Sequence, residues 1–545
     1  MTQSPKESFS VAESVRYNPD VLDVEGIKNP SAAIRSIGTS RRVFLLNHSL
    51  NPDEIKGLSY RIKALSSNDG INSIVLANPL EDHEYDGNMS ENRSCLPSFM
   101  EEGGLRESLL EPNNTFGHRK YVGLLEEQAE LGVPYVSSGY DARAVYERGM
   151  HKDPAELERN VMNPMMELTH AMRGDFDTTD RQSESRVPVI SVPNGLVTDG
   201  GYALLSGSYA LATHNTSYRI LNPLRGLTLD PVGLSYHLPR VGYTFAQESV
   251  ATHSWGVALL LALAGAEASP ADLVSTGLAT HYIASPSKLN LLERSLMDLN
   301  SFAGQSLKKN PKKYYGHEHE AGPDVNDQYR NVAVGNLIQS LSEYDAAGAD
   351  EYGCYLKSEL DEEGLYLRER DPSLKLEEDR VQMYGELVSP LVNWSATFES
   401  VWEEETLEGI MERLHEVAAT KDEFVGKKGY EEDVAVAEQA GYFVKCMEAR
   451  SPLALAVTYA LLCVGSDEEE TLRSCMEREK RAQMKLMIKE SGDFVKWAES
   501  GMGVGLVSMP GKASLVREKE GVFDGWRHKS LRDIEMDEIK EILGD

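Results

Sequence analysis

At 545 residues the chain is too long for one ordinary domain and about the length of two or three. Hydrophobic residues at 41% and charged residues at 26% place it among globular chains and exclude collagen-like or wholly disordered ones. Fifty-five Lys and Arg against 87 Asp and Glu give a net charge of −32, a field that excludes a general grip on nucleic acid or an anionic membrane and leaves room only for a local basic pocket.

Residues 1 to about 40 are polar and aperiodic and read as a flexible tail. Val43 to Leu46 reads as a strand, Asn51-Pro52-Asp53 opens a helix with Ile55, Leu58, Ile62 and Leu65 on one face, and Ile74 to Leu76 is the next strand. From 80 to 131 the sequence is irregular, too long for a connection inside a domain, and is taken as an insertion. Strand-turn-helix alternation resumes at Val133 and Val187, which indicates an α/β domain. Ser269-Pro270 forms a helix start, Gly277 a stop, and Thr280 to Ile283 a short strand, so the domain is expected to span 41–300. An acidic helical insertion or linker over 301–390 and a helical C-terminal region over 391–545 follow.

Five cysteines, Cys95, Cys354, Cys446, Cys463 and Cys475, are scattered and never spaced as CxxC, which suggests neither a zinc ribbon nor a disulfide framework. No metal site is expected. The apolar run Val257 to Ala266 falls short of the ~20 residues that span a bilayer, and no membrane partner is expected. Acids at Glu7, Glu13, Asp20, Asp23 and Glu25 are poor for a transit peptide, although 31–42 is acid-free, so the residues leave targeting undecided.

The informative stretch is 189–213: a buried strand, a turn with Gly200 and Gly201, a short helix and another strand. Glycines there let backbone approach a ligand, and the helix they open aims free N–H groups outward, which is how an oxyanion hole is built. Upstream, Ser137-Ser-Gly139-Tyr140-Asp141 follows a strand and starts a helix; downstream lie Asp230-Pro-Val-Gly-Leu-Ser-Tyr-His-Leu-Pro-Arg240 and Gly277-Leu-Ala-Thr-His-Tyr-Ile283. In order and spacing these segments resemble the crotonase (enoyl-CoA hydratase/isomerase) superfamily. Trp394 to Met411, Arg450-Ser451-Pro452 to Thr458, and Cys475-Met-Glu477-Arg478-Glu-Lys-Arg resemble the C-terminal extension of its 3-hydroxyisobutyryl-CoA hydrolase branch.

The resemblance implies an α/β fold, a ββα spiral followed by a helical C-terminal region. It implies an acyl-CoA ligand, with no cofactor beyond the coenzyme A of the substrate, and a thioester oxygen held by the backbone N–H groups of Tyr140 and Gly200. Gly139, Asp141, Gly201 and Glu158 would lie around the substrate. Proline at Gly200 is expected to destroy such a hole, and alanine at Gly201 to be milder.

The acid/base groups depart from the family pattern. Its Glu position falls on Pro223 or, slipped by one residue, on Leu224, and its Asp position on Pro231 or Asp230. Gly200 to Leu229 contains no acid where the composition would supply about five. Asp230 is the remaining catalytic candidate, and a helix-start Asp before Pro is the equally simple reading. His214 and His237 are read as ordinary histidines, Lys308, Lys309, Lys312 and Lys313 as a solvated loop or a phosphate contact, and Glu359 to Asp371 as solvated surface.

Two main functions follow from the resemblance, with a CoA-binding sensor or an isomerase using another acid as a third option. One is hydrolysis of a short branched hydroxyacyl-CoA in valine breakdown. The other is a catalytically silent member with a structural role, as in mitochondrial ribosomes, seated through protein contacts; a protein assembly or a homo-oligomer stays open. The resemblance points to the mitochondrion, with the cytoplasm as the alternative.

Overall fold

The computed structural model describes residues 32–37, 40–45, 49–50, 52–66, 73–77, 135–173, 187–213, 216–241, 254–283, 288–289, 291–292, 295–296, 333–342, 344–345, 390–425, 427, 429–489, 492–500 and 523–544. The expected insertion at 80–131, the lysine run 308–313 and the acidic run 359–371 lie outside them.

Twelve strands are described: β1 Ala32–Ile37, β2 Ser40–Leu45, β3 Ser49–Leu50, β4 Ser73–Ala77, β5 Tyr135–Ser137, β6 Gly139–Tyr140, β7 Val189–Val192, β8 Leu196–Thr198, β9 Tyr209–Ala212, β10 Ser217–Arg219, β11 His281–Tyr282 and β12 Tyr344–Asp345. The large sheet runs β1-β2-β4-β7-β9-β11-β12, and a small one runs β10-β8-β5. Pairings from β2 to β11 are parallel, and only the edge pairs β1–β2 and β11–β12 are antiparallel. A third, two-stranded parallel sheet joins β3 to β6. Chain order explains the arrangement. β7 enters the large sheet and β8 the small one; the short helix α4 (Tyr202–Leu205) follows, and β9 and β10 repeat the step. This is the ββα spiral expected from the sequence.

A parallel sheet must be covered on both faces. Ile74, Leu76, Val189, Ala210 and Ala212 join the main core with α1 (Pro52–Ser66) and α3 (Asn163–Arg173), which follows the short helix α2 (Ala142–Glu147). Ile55, Leu58 and Ile62 of α1 are buried there, as their spacing predicts. The intervening residues Val75, Ile190, Val192 and Leu211 face a second cluster with Leu289, Leu292, Leu296, Val334 and Ile338.

Two boundaries read from the sequence change. Ala32–Ile37 is not tail but the edge strand β1, paired with β2 from Ala32↔Leu45 to Ile37↔Ser40; its stability comes from that partner, which local polarity does not reveal. Residues 333–341 and β12 lie in the segment assigned to an insertion after residue 300, yet they return to the sheet. Val334 and Ile338, one helical turn apart, seal its second face, and Tyr344 pairs with Tyr282.

In α6 (Pro270–Ser275) Ser269 forms a capping box with Asp272, whose other oxygen accepts from Leu391 N–H at 2.9 Å. The first helix of the C-terminal region is thereby pinned to the α/β domain. That region continues through α7 (Glu431–Glu448), α8 (Pro452–Gly465) and α9 (Leu472–Ile488). Ser451 caps α8, accepting from Ala454 N–H at 3.1 Å. Leu455 is buried, and Tyr459 is half-buried and donates its hydroxyl to Glu405 C=O at 3.2 Å. Among the described residues no single helix is long and apolar enough to cross a membrane; the apolar pair Asp433–Glu448 and Pro452–Gly465 is bent by 107°.

Helix α9 is the main tie between the two regions. Glu479, fully buried, accepts from Gly233 N–H at 2.8 Å and Ser235 N–H at 2.6 Å, holding the start of α5 (Leu234–His237). Gln483 Oε1 accepts from Thr228 N–H at 2.9 Å. Each buried donor left unpaired costs ~1–3 kcal/mol, so Glu479→Ala should lower stability by about 2–5 kcal/mol and Glu479→Gln by less, read as midpoint shifts in urea unfolding.

Candidate functional site

Strand β6 is two residues long, and its register sets the site. Leu50 C=O accepts from Asp141 N–H at 3.0 Å, so by strand alternation the Tyr140 N–H turns away from β3. Gly139 has φ +76°, and a Cβ there would come within 2.6–2.9 Å of Gly200 and Gly201 backbone. Only glycine permits that approach, which brings the two candidate donor segments into contact. A Cβ on Gly201 would overlap the Ser137 carbonyl oxygen, so alanine there requires the backbone to shift.

Asp230 is the acid brought to this place. It is 2% exposed, and its Oδ2 lies 2.8 Å from where a Gly200 Cβ would be. Gln483 Nε2 donates to Asp230 Oδ1 at 2.8 Å and to the Tyr140 hydroxyl oxygen at 2.9 Å. One amide from the C-terminal region thus holds both side chains. Burial, reinforced by the charge of Asp199, pushes Asp230 up to about 7, against hydrogen bonds from Tyr140 and Asn222 and the charge of Arg225. Burial also raises the Tyr140 phenol well above its usual range, so it stays protonated.

Sequence reasoning did not single out Asp199, although it directly precedes Gly200. It is the one non-glycine at positive φ among the described residues, at 46°. Its carboxylate accepts from Leu221 N–H at 2.6 Å and Asn222 N–H at 2.8 Å and pairs with Arg225 at 3.1 Å. These contacts fix the turn Asn222–Arg225, which carries the two positions where the family Glu was sought. Leu224 is buried there, and Pro223 C=O accepts from Ser451 N–H at 3.0 Å. Neither supplies an acid.

The other expected residues are placed as follows. Asp141 caps α2, accepting from Ala144 N–H at 2.9 Å. Glu158 pairs with Lys480 of α9 at 3.0 Å, and the same ammonium pairs with Glu477 at 2.8 Å. His237 contacts Arg173, and burial together with Arg173 and Arg240 holds it well below the usual imidazole range, hence neutral. His214 lies outside the described residues. Among the described residues no three His, Cys, Asp or Glu side chains are placed to hold a metal ion.

Residues 132–362 match the enoyl-CoA hydratase/isomerase family model. The probable 3-hydroxyisobutyryl-CoA hydrolase 2 of Arabidopsis thaliana is 34% identical over 120 residues, 22% of this chain and 28% of that protein. The mitochondrial 3-hydroxyisobutyryl-CoA hydrolase of Danio rerio is 33% identical over 116 residues, 21% of this chain and 26% of the relative. The chain therefore matches about a quarter of the length of these relatives. A carnitinyl-CoA dehydratase from Mycobacterium thermoresistibile superposes with a TM-score of 0.51 at 14% identity, covering 94% of this chain and 96% of that one. That likeness concerns the fold.

The carboxyls of Asp230 and Glu479 both have folded values near 7, Glu479 chiefly by burial, above their usual range near 4. The folded state binds their protons more tightly, so the stability this confers is complete below about pH 4 and is lost as pH rises through about 7. Asp230→Asn should remove part of this fall and Glu479→Gln a further part, seen as melting temperatures that drop less steeply than that of wild type between pH 5 and 8, whatever their starting level.

Proposed function

Residues 132–362 belong to the enoyl-CoA hydratase/isomerase family, and from that premise we propose that the protein hydrolyses a CoA thioester, with a short branched hydroxyacyl-CoA of the 3-hydroxyisobutyryl type as substrate. The observation that carries this reading is the Asp230 carboxyl beside Gly200, with a value near 7. A base titrating close to neutrality suits proton transfer at physiological pH. In the proposed reaction Asp230 takes a proton from water as the water oxygen attacks the thioester carbon. The tetrahedral oxyanion is held by the Tyr140 and Gly200 N–H groups. Its collapse breaks the C–S bond, and the proton on Asp230 passes to the departing thiolate, giving an acid and free CoA. Leu224 leaves no second carboxylate for a covalent path, so the step is direct attack by water. The name of the Danio rerio relative supports a mitochondrial location.

A second reading, a member without turnover retained for its shape, is favoured by one feature. The Tyr140 side chain and the Gln483 amide occupy the surroundings of Asp230, where an acyl group would need room. Thiol release from 3-hydroxyisobutyryl-CoA, with CoA calorimetry on the same preparation, separates the two. Turnover supports the hydrolase; absence of both turnover and CoA binding supports the structural role.

For the hydrolase, Asp230→Asn should lower kcat by about 10²- to 10⁴-fold with CoA affinity nearly unchanged, because the group acts in the transition state. The wild-type rate should rise with pH through about 7 as Asp230 loses its proton. Gly200→Pro should cost ~3 kcal/mol or more of transition-state stabilisation by deleting one donor. Leu224→Glu should raise hydrolysis by restoring a second carboxylate.

A further inference from the structure

Two guanidinium groups lie buried where the α/β domain meets the helical region, apart from the residues used above. Arg219 ends β10 and is 8% exposed; Arg450 follows α7 and is 2% exposed. Gly265 joins them. Arg219 Nε donates to Gly265 C=O at 3.1 Å, and a Cβ on Gly265, at φ +59°, would overlap Arg450 Nη2. Arg450 Nη1 donates to Cys446 C=O, and its buried Nε has no hydrogen-bond partner.

A guanidinium carries five N–H donors and does not give up its charge inside a protein. Here Arg219 Nε and Arg450 Nη1 donate to carbonyls near helix ends, and the Cys446 side chain is a further hydrogen-bond partner of Arg450. Such carbonyls provide only a fraction of a charge. Among the described residues no carboxylate pairs with either arginine, in a chain with 87 acids. Burial, with Arg219 as a repelling neighbour, holds Arg450 below the usual guanidinium range, and Tyr442 and Cys446, one turn apart on α7, also face it. Two buried like charges without a counterion are costly, and an anion seated between them removes the cost.

We propose that Arg219 and Arg450 form a binding site for a small inorganic oxyanion of the phosphate type, which neutralises the pair and ties β10 to α7. The planar forks of N–H donors match tetrahedral oxygens in paired contacts. The burial of both residues selects a small free ion over a phosphate carried on a macromolecule. The site is independent of the thioester reading and of Asp230.

The test uses the full-length protein and inorganic phosphate. Phosphate released on acid denaturation of the purified protein is assayed first; calorimetric titration and melting curves at constant ionic strength, balanced with chloride, follow. One equivalent, either retained or taken up, with a saturable rise in melting temperature, is expected. Arg450→Met and Arg219→Met should each abolish the saturable part; if Arg450→Met does not fold, Arg219→Met and the wild-type stoichiometry decide. A protein that neither retains nor takes up one equivalent overturns the proposal, as does a linear rise of equal slope in wild type and variant, which marks a bulk solvent effect.

Discussion

The backbone of Thr228, Gly233 and Ser235 presents buried N–H groups that find their acceptors on a different part of the chain, helix α9. Buried donors must be paired, so the α/β domain is complete only when that helix is docked. Once Glu479 and Gln483 are fixed by this requirement, the rest of the neighbourhood follows. Gln483 Nε2 falls between Asp230 and Tyr140, and Lys480 reaches Glu158. The C-terminal region therefore acts as more than a cover. It supplies an amide to the candidate site, and it sets the orientation of the Asp230 carboxyl beside Gly200.

Charge is distributed in the same spirit. The chain carries an excess of 32 negative charges, yet Asp199, Asp230 and Glu479 are each almost fully buried around one short segment. Arg225 pairs with Asp199, and backbone N–H groups serve Asp199 and Glu479. Asp230 has only side-chain partners, so desolvation dominates and its proton is held toward neutrality. A carboxyl in that state is useful for proton transfer and expensive for stability at high pH. The same chemistry that suits a reaction thus imposes a cost on the fold.

The arrangement at Gly139, Gly200 and Gly201 shows how little space the site has. At each of the three a Cβ would clash or press on a neighbour: Gly139 on Gly200, Gly201 on the Ser137 carbonyl, Gly200 on Asp230. The glycines do the same job as a strain-free hinge would, allowing two backbone segments to meet side by side. Tyr140 then turns its ring into the space this creates, and its hydroxyl becomes part of the hydrogen-bonded group around Asp230.

The sequence by itself determined the local elements and the class of fold. Ile55, Leu58 and Ile62 repeat at helical spacing, Ser269-Pro270 carries its own cap, and Gly200 and Gly201 mark close backbone approach; each signal lies within a few residues and needs no distant partner. It did not show that Ala32–Ile37 is a strand or that 333–341 seals the sheet, because those segments gain their stability from partners elsewhere in the chain. Nor did it show that Gln483 meets Asp230 across 253 positions, or that Asp199 clasps Arg225. Hydrogen bonds and charge pairs of that kind act over a few ångströms in space and leave no periodic trace along the chain, so only the tertiary structure decided them.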